Sequence, residues 1–446
     1  MLIGRRLPES GPIDFVKILS ITAGAAGMYC GSCLRDNSLA AELTRLGHDV
    51  TLLPVYTPTL TDEPNVSQDR VFFGGLSVYL QQLHPLFRKT PWLLDRVWDS
   101  RPVLKFFSGL GVKTDPRQLG ALTLSMLQGE SGHQKKELLK LISWLQQQPP
   151  PDVIVLPNSL LIGLAEPLRA ALQRPVCCTL QGEDLFLKGL PEPYRGQALD
   201  SIRRQVRWVD GFAPVSRYCA GIMQELLGIE PDRMHLIPLG VRSGDYGNRR
   251  SPRSDTFRVG YLSRIAPEKG LHELCRAYRR LKQLKDVGAT RLEVAGYLGP
   301  EHRAYLQQIR KQIRRWGLEG EFCYHGSLDR PAKLRFLENL DVLSVPATHD
   351  EHKGIPILEA MASGIPVVQP RRGAFTEMIE KTSGGLLTDP DQEHGLAEGL
   401  HAVYRDPGLA DRLAHNGRQG VQDHYSLSRM AEAAVEAYRA IVQRAS

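Results

Sequence analysis

The sequence predicts an α/β protein built from two doubly wound, Rossmann-like domains in series. The chain opens as βαβ: an apolar run at Val16–Ala23, a glycine-bearing loop, a helical pattern from Arg35 to Gly47, and a second apolar run over 48–55. After a polar, basic stretch at 242–256, strand–helix alternation restarts and continues through six apolar segments. At 446 residues the chain is long enough for two or three domains with cores of their own.

Composition narrows the class. Apolar residues make up 42% and charged residues 24%, as in a soluble globular protein. No apolar run approaches the ~20 residues of a membrane-spanning helix. Residues 1–13 lack an apolar signal region and read as a flexible tail, so a cytoplasmic location is expected. Seven thinly spread cysteines, an odd count, fit a reducing compartment. The net charge of +7 suits anionic ligands or peripheral contact with the inner, anionic face of a membrane, although an Arg-rich proteome gives the same number. Zinc-finger spacing and RNA-binding aromatic signatures are lacking, so nucleic acid is not an expected partner.

Each element follows in order. The first domain is read as 14–241. Its opening loop is not a dinucleotide fingerprint, because the glycines fall at 24, 27 and 31 and the second strand ends in Leu53-Pro54 with no acidic residue for a ribose. Gly24 and Gly27 would permit close backbone approach. Cys30 and Cys33 form a lone Cys-x-x-Cys with no second pair to complete a zinc site, so a packed loop is favoured over redox or metal chemistry. The segment 71–82 is a candidate strand. A helical insertion is expected over about 80–145, aromatic and basic together, packing on its domain or facing an acceptor or membrane. Strands follow at 152–158, 175–182, which ends beside Glu183-Asp184, and 211–216, with Ser216 capping a helix. Residues 233–241 close the domain, and 242–256 is a linker. The second domain spans 257–425. A strongly helical segment, 426–446, ends the chain.

Within the second domain, Glu351 to Gly364 reads EHKGIPILEAMASG. Pro356 suits the first turn of a helix, where its missing N–H costs nothing. Glu351 therefore lies on the loop before the helix and Glu359 about one turn inside it. The turn Gly354-Ile355-Pro356 opens the helix, and free N–H groups of residues near 354–357 would face the same space as Glu351; such a helix start binds phosphate. A carboxylate inside the first turns can accept hydrogen bonds from vicinal hydroxyls. The plain alternative is an ordinary helix start with acidic residues suiting its dipole. Upstream, VGYLSRIAPEKG places Arg264 and Lys269 on a loop that opens another helix.

Together, Glu-x7-Glu at Glu351 and Glu359 with Arg264 and Lys269 resembles the retaining glycosyltransferases of family 4, strongly over residues 255–425 and more weakly before. The resemblance implies a GT-B fold, with a cleft between two Rossmann-like domains and the final helix crossing back onto the N-terminal one. It implies an acceptor domain first and a nucleotide-sugar domain second. Arg264 and Lys269 would hold the donor diphosphate, Glu359 the ribose, and Glu351 would face the donor sugar. Gly24 and Gly27 would lie where the family's small-residue loop faces donor and acceptor, and Pro238-Leu239-Gly240 matches its Pro-x-Gly turn.

The chemistry agrees with this arrangement. Loss of a nucleoside diphosphate builds charge on the leaving oxygen, which the enzyme must stabilise. The lone Asp-x-Asp, Asp389-Pro390-Asp391, falls in a late turn, so no metal is expected; Arg264 and Lys269 would supply the charge. Two features depart from the family. Gln181 stands where a His is common, so proton uptake would fall to the donor phosphate or to Glu183 or Asp184. Lys353 stands where an apolar residue is usual. His349 and His352 flank Glu351 and could touch the sugar, although a loop His is more often solvated. The expectation is a metal-independent, retaining glycosyltransferase moving a hexose-type sugar from a nucleotide sugar to a sugar, lipid or small-molecule acceptor. Rivals are a silent nucleotide-sugar-binding protein and another GT-B enzyme, such as a sugar-phosphate synthase or epimerase.

Overall fold

The computed structural model describes residues 15–24, 31–73, 116–247, 255–392 and 394–445. In the first half, strands β1 (Lys17–Thr22), β2 (Asp49–Pro54), β3 (Val153–Leu156), β4 (Val176–Leu180) and β5 (Gly211–Pro214) form one sheet in the order β2-β1-β3-β4-β5. All pairs are parallel, with Ile18 opposite both Val50 and Val153. β3, β4 and β5 are buried along their whole length, which is why they read as apolar runs rather than alternating ones.

Three helices of this half position the site. They are α1 (Gly31–Arg45), α2 (Asp184–Gly189) and α3 (Arg217–Leu227). α1 starts at Gly31, earlier than the pattern from Arg35 suggests, so Cys33 is a buried residue of its first turn. Ser216 caps α3 by accepting from the Cys219 N–H at 3.1 Å. Helices at Pro116–Leu127 and Lys135–Leu145 occupy the end of the expected insertion; its earlier part lies outside the described residues. Residues 71–73 of the candidate strand are irregular chain tied to the end of β2, with the Phe73 N–H donating to Val55 O at 2.7 Å.

The second half holds a six-stranded parallel sheet, order β11-β10-β9-β6-β7-β8. Its strands are β6 (Phe257–Leu262), β7 (Thr290–Ala295), β8 (Phe322–Tyr324), β9 (Val342–Leu343), β10 (Val367–Pro370) and β11 (Gly385–Thr388). The strand order reverses at β6, and the loops leaving β6 and β9 open a crevice at their carboxyl ends, where ligands of such sheets bind. Helices α4 (Leu271–Lys282), α5 (Arg330–Glu338), α6 (Ile355–Ala362) and α7 (Ala374–Thr382) flank that crevice.

The last helix, α8 (Leu427–Ala445), leaves the second half and packs on the first sheet. Met430, Ala434, Tyr438 and Ile441 meet Ile18, Leu39, Val153, Cys177 and Ala213 in a separate core. Each fully buried large apolar side chain there is worth about 1.5–3 kcal/mol of transfer free energy. The crossing is fixed where Val241 N donates to Tyr425 O at 2.8 Å and Leu427 N to Val241 O at 3.1 Å. The halves also meet across the cleft: Ser216 Oγ donates to His352 O at 2.9 Å, and the Arg217 N–H donates to Glu377 of α7 at 3.1 Å. Among the described residues, no helix is long and apolar enough to cross a membrane.

Candidate functional site

Between the two sheets lies a cavity of about 540 Å³. Its wall brings together Arg264, Lys269, His349, Glu351, Gly354, Ile355, Pro356, Glu359 and Gln181. Arg264 follows β6, Lys269 ends the turn before α4, and Glu351 lies on the loop between β9 and α6. Gly354 caps α6, and Ile355 and Pro356 begin it; Pro356 has no N–H and the Ile357 N–H donates to Gly354 O at 3.1 Å, so the N–H groups of Gly354 and Ile355 are the ones left for a ligand. Cations and a helix start therefore share one wall with two carboxylates.

Glu351 is buried, and the Lys269 ammonium lies in close contact with its Oε2. Burial pushes this carboxyl up, but Lys269 more than offsets that and holds it at about 2. His349 is pushed below its ordinary value, first by burial and then by Lys269. Arg264 is more loosely held, 3.2 Å from Glu268 with both side chains exposed.

Glu359 has a different setting. Its Oε1 accepts from Lys333 of α5 at 2.5 Å and from the Tyr246 hydroxyl at 3.1 Å. Lys333 also lies 2.5 Å from Asp62 of the first half, so the pair spans the cleft. Arg330 stands 3.7 Å from Glu359 and 3.8 Å from Asp62. Burial pulls the Lys333 ammonium down, but Glu359 and Asp62 outweigh it and raise it overall.

On the opposite wall, Gln181 donates from Nε2 to Pro157 O at 2.8 Å, while its buried Oε1 has no protein partner. Gly182 follows with φ +93; a Cβ there would lie 2.5 Å from the His352 ring, so only glycine lets the two halves close here. His352 lines the cavity and is almost fully buried, so it is not the solvated loop residue that is the plain alternative to a sugar contact. Its Nε2 sits 2.8 Å from Asp184 Oδ1, at ion-pair distance but off the line of a good hydrogen bond.

Three expected contacts do not line the cavity. Glu183 turns inward, both its oxygens accepting from the Gln181 N–H at 3.1 Å, and burial raises its carboxyl. Asp184 is committed to His352 and Lys188. Gly24 has φ +81, and a Cβ there would lie 1.9 Å from Thr57 O; its close approach is to that backbone. Gly27 and Cys30 lie outside the described residues. Asp389 and Asp391 form a turn, with Asp391 N donating to Asp389 Oδ1 at 3.0 Å. Among the described residues, the grouping close enough to hold a metal ion is Glu293, Cys323 and His325 on β7 and the end of β8, outside the cavity wall.

Sequence reasoning missed Lys333, Asp62 and Tyr246. A signal existed for the first: Lys333, Phe336 and Leu337 share the buried stripe of α5, and a lysine on an apolar stripe needs a carboxylate partner. Asp62 and Tyr246 carry no local signal, since their roles depend on the distance between domains.

Two doubly wound sheets facing each other across this cleft, with a helix crossing back, define a GT-B glycosyltransferase fold. Residues 248–420 match the family model for glycosyl transferases group 1, and residues 36–240 match that for a glycosyl transferase 4-like domain. The chain belongs to the group 1 glycosyl transferases. It is 30% identical over 192 residues to a glycogen synthase of Mycobacterium tuberculosis, covering 43% of this chain and 44% of that protein. It is 26% identical over 247 residues to the MMP alpha-(1->4)-mannosyltransferase of Mycolicibacterium hassiacum, covering 54% and 57%. The chain thus spans about half the length of these curated relatives. Among solved structures, the sucrose-phosphate synthase of Thermosynechococcus elongatus shares the fold with a TM-score of 0.68 at 17% identity, over 95% of this chain and 98% of that one. HepE of Anabaena in complex with UDP-glucose shares it at 0.64 and 16%, over 94% and 98%.

Proposed function

We propose that this chain is a metal-independent, retaining glycosyltransferase that moves a hexose-type sugar from a nucleotide diphosphate sugar to a sugar, lipid or small-molecule acceptor. The observation that carries the reading is the convergence of Lys269, Arg264 and the start of α6 on the wall that holds Glu351 and Glu359. A diphosphate placed there meets an ammonium, a planar guanidinium and free helix N–H groups. As the bond from the sugar carbon to the leaving oxygen breaks, charge grows on that oxygen. Lys269 exchanges its contact with Glu351 for one with the phosphate, and Arg264 leaves its weak partner Glu268. Glu351 then faces the sugar, and Glu359 takes the ribose hydroxyls. The acceptor proton passes to the departing phosphate, since Gln181 cannot take one. UDP-glucose bound to a protein of the same fold supports a nucleotide-sugar donor.

Turnover of a panel of UDP-, GDP- and ADP-hexoses in EDTA tests this reading. Release of nucleoside diphosphate from one of them supports it. A second reading, a silent nucleotide-sugar-binding protein, is favoured by Gln181, whose Nε2 is committed to Pro157. Binding without turnover would select it.

A further inference from the structure

The lysine next to Glu351 has no place in the reading above. Lys353 lines the cavity and is half-buried. Its Nζ reaches across the cleft to the first half, donating to Ser32 Oγ of α1 at 2.9 Å. Every other lysine or arginine on the cavity wall stands against a carboxylate. Arg264 faces Glu268, Lys269 faces Glu351, and Lys333 faces Asp62 and Glu359. Among the described residues, no carboxylate oxygen lies within ion-pair distance of the Lys353 ammonium, and its bonded partner there is neutral. The sequence just before Ser32, Ala25 to Cys30, contains no acidic residue either. Glu183, a buried carboxyl behind the opposite wall, turns both its oxygens to the Gln181 N–H at 3.1 Å rather than to Lys353.

Glu351 and Glu183 attract this ammonium from a distance, but neither bonds it. A partly desolvated ammonium with no carboxylate at bonding distance costs free energy, which an anionic ligand offsets. The position of the charge says where that anion sits. The proposed donor-holding groups Arg264, Lys269 and Glu359 all belong to the second half, whereas Lys353 reaches to Ser32 of the first half, which also supplies Gln181 to the cavity wall. Gln181 Oε1, buried and without a protein partner, offers an acceptor for a hydroxyl on the same side.

Building on the glycosyltransferase reading, we propose that Lys353 selects an acceptor bearing an anionic group, a phosphate or carboxylate, close to the hydroxyl that is glycosylated. Lys353 here is a specificity residue; it takes no part in bond making.

The test uses the full chain with whichever hexose donor the panel identifies. Matched acceptors are compared: glucose with glucose 6-phosphate, mannose with mannose 6-phosphate, and glycerol with glycerate. The expected wild-type result is a higher kcat/KM for the anionic member of at least one pair. In Lys353→Met the anionic-to-neutral ratio falls by about 10–100-fold, the range for losing a hydrogen bond to a charged group. Lys353→Arg keeps most of the preference. A wild type that prefers neutral acceptors overturns the proposal. So does an equal loss on both members of each pair, which would make Lys353 a strut to Ser32. If Lys353→Met instead weakens nucleoside diphosphate binding, or shifts the choice between a hexose and a hexuronate donor with no change at the acceptor, its anion belongs to the donor and the assignment is wrong. Titration calorimetry with UDP, GDP and ADP separates the two levels. A wild type that binds none of them sinks the glycosyltransferase reading itself. One that binds and turns over donor but ignores acceptor charge sinks the Lys353 proposal alone.

Discussion

Glu351 and Glu359 come from one short motif and lie on one cavity wall, yet they are held in opposite ways. Glu351 pairs with Lys269 inside a single domain, on the loop before α6. Glu359 pairs with Lys333, which also meets Asp62 of the other domain, so its carboxylate belongs to a buried network that spans the cleft. Under the proposed function the difference separates two jobs. A pair within one domain could exchange partners on phosphate binding without moving the domains. A pair shared between domains couples whatever Glu359 binds to how the halves sit together. Breaking one partner of a buried pair is costly because the other charge is stranded.

The largest effect should come from the first pair. Lys269→Ala should lower kcat by roughly 10²–10³-fold, the range for removing one donor aimed at developing charge. Donor affinity should change much less, because the contact tightens as charge develops. Steady-state kinetics checks this; unchanged turnover would remove Lys269 from the diphosphate site. Arg264→Lys should follow the same pattern with a smaller loss, since a lysine keeps the charge but not the two-pronged geometry.

The second pair should show itself in binding. Glu359→Ala should weaken nucleotide affinity by up to about 1.5–3 kcal/mol for each ribose hydrogen bond lost. Because Lys333 then keeps Asp62 as its sole carboxylate partner at bonding distance, the variant should also melt at a lower temperature than wild type. Calorimetry and thermal denaturation, repeated in a Lys333→Met background, separate the two effects. If Lys333→Met leaves the stability cost of Glu359→Ala unchanged, the pair is not coupled.

The smallest expected effect is on acid stability. Glu351 is held at about 2, below the ordinary 4.5 of a glutamate. A depressed carboxyl stabilises the fold fully above its unfolded value and loses that contribution as pH falls from 4.5 toward 2. Lys269→Met should therefore lose less stability than wild type across that window. Denaturant midpoints at pH 5 and pH 3 would reveal it, and equal losses would deny the pair its role.

Legibility divides along the same line as the two glutamates. Both sheets were readable, because strands buried on both faces appear as short apolar runs between helical patterns. Val153–Leu156 and Val176–Leu180 are examples. The Arg264, Lys269, Glu351 and α6 group was readable because each residue sits at a fixed offset from a strand end or helix start. Asp62, Lys333 and Tyr246 were not, since nothing local specifies a contact made between a loop, a helix and a linker distant in sequence. Glu183 and Asp184 were candidates because they follow Gln181, which stands where the family commonly has a His and cannot take a proton. The fold instead turns one back onto Gln181 N and gives the other to His352. The glycine at 24 was rightly read as a place of close approach, but the partner was Thr57 backbone.

The central claim is that lysine, arginine and a helix start carry the leaving diphosphate without a metal. The most direct measurement is nucleoside diphosphate release by the wild-type chain from UDP-, GDP- and ADP-hexoses, with EDTA and with added Mg²⁺ or Mn²⁺. The account predicts release from one donor at the same rate in EDTA as with metal. Release that strictly requires the metal, or binding with no release from any donor, would contradict it.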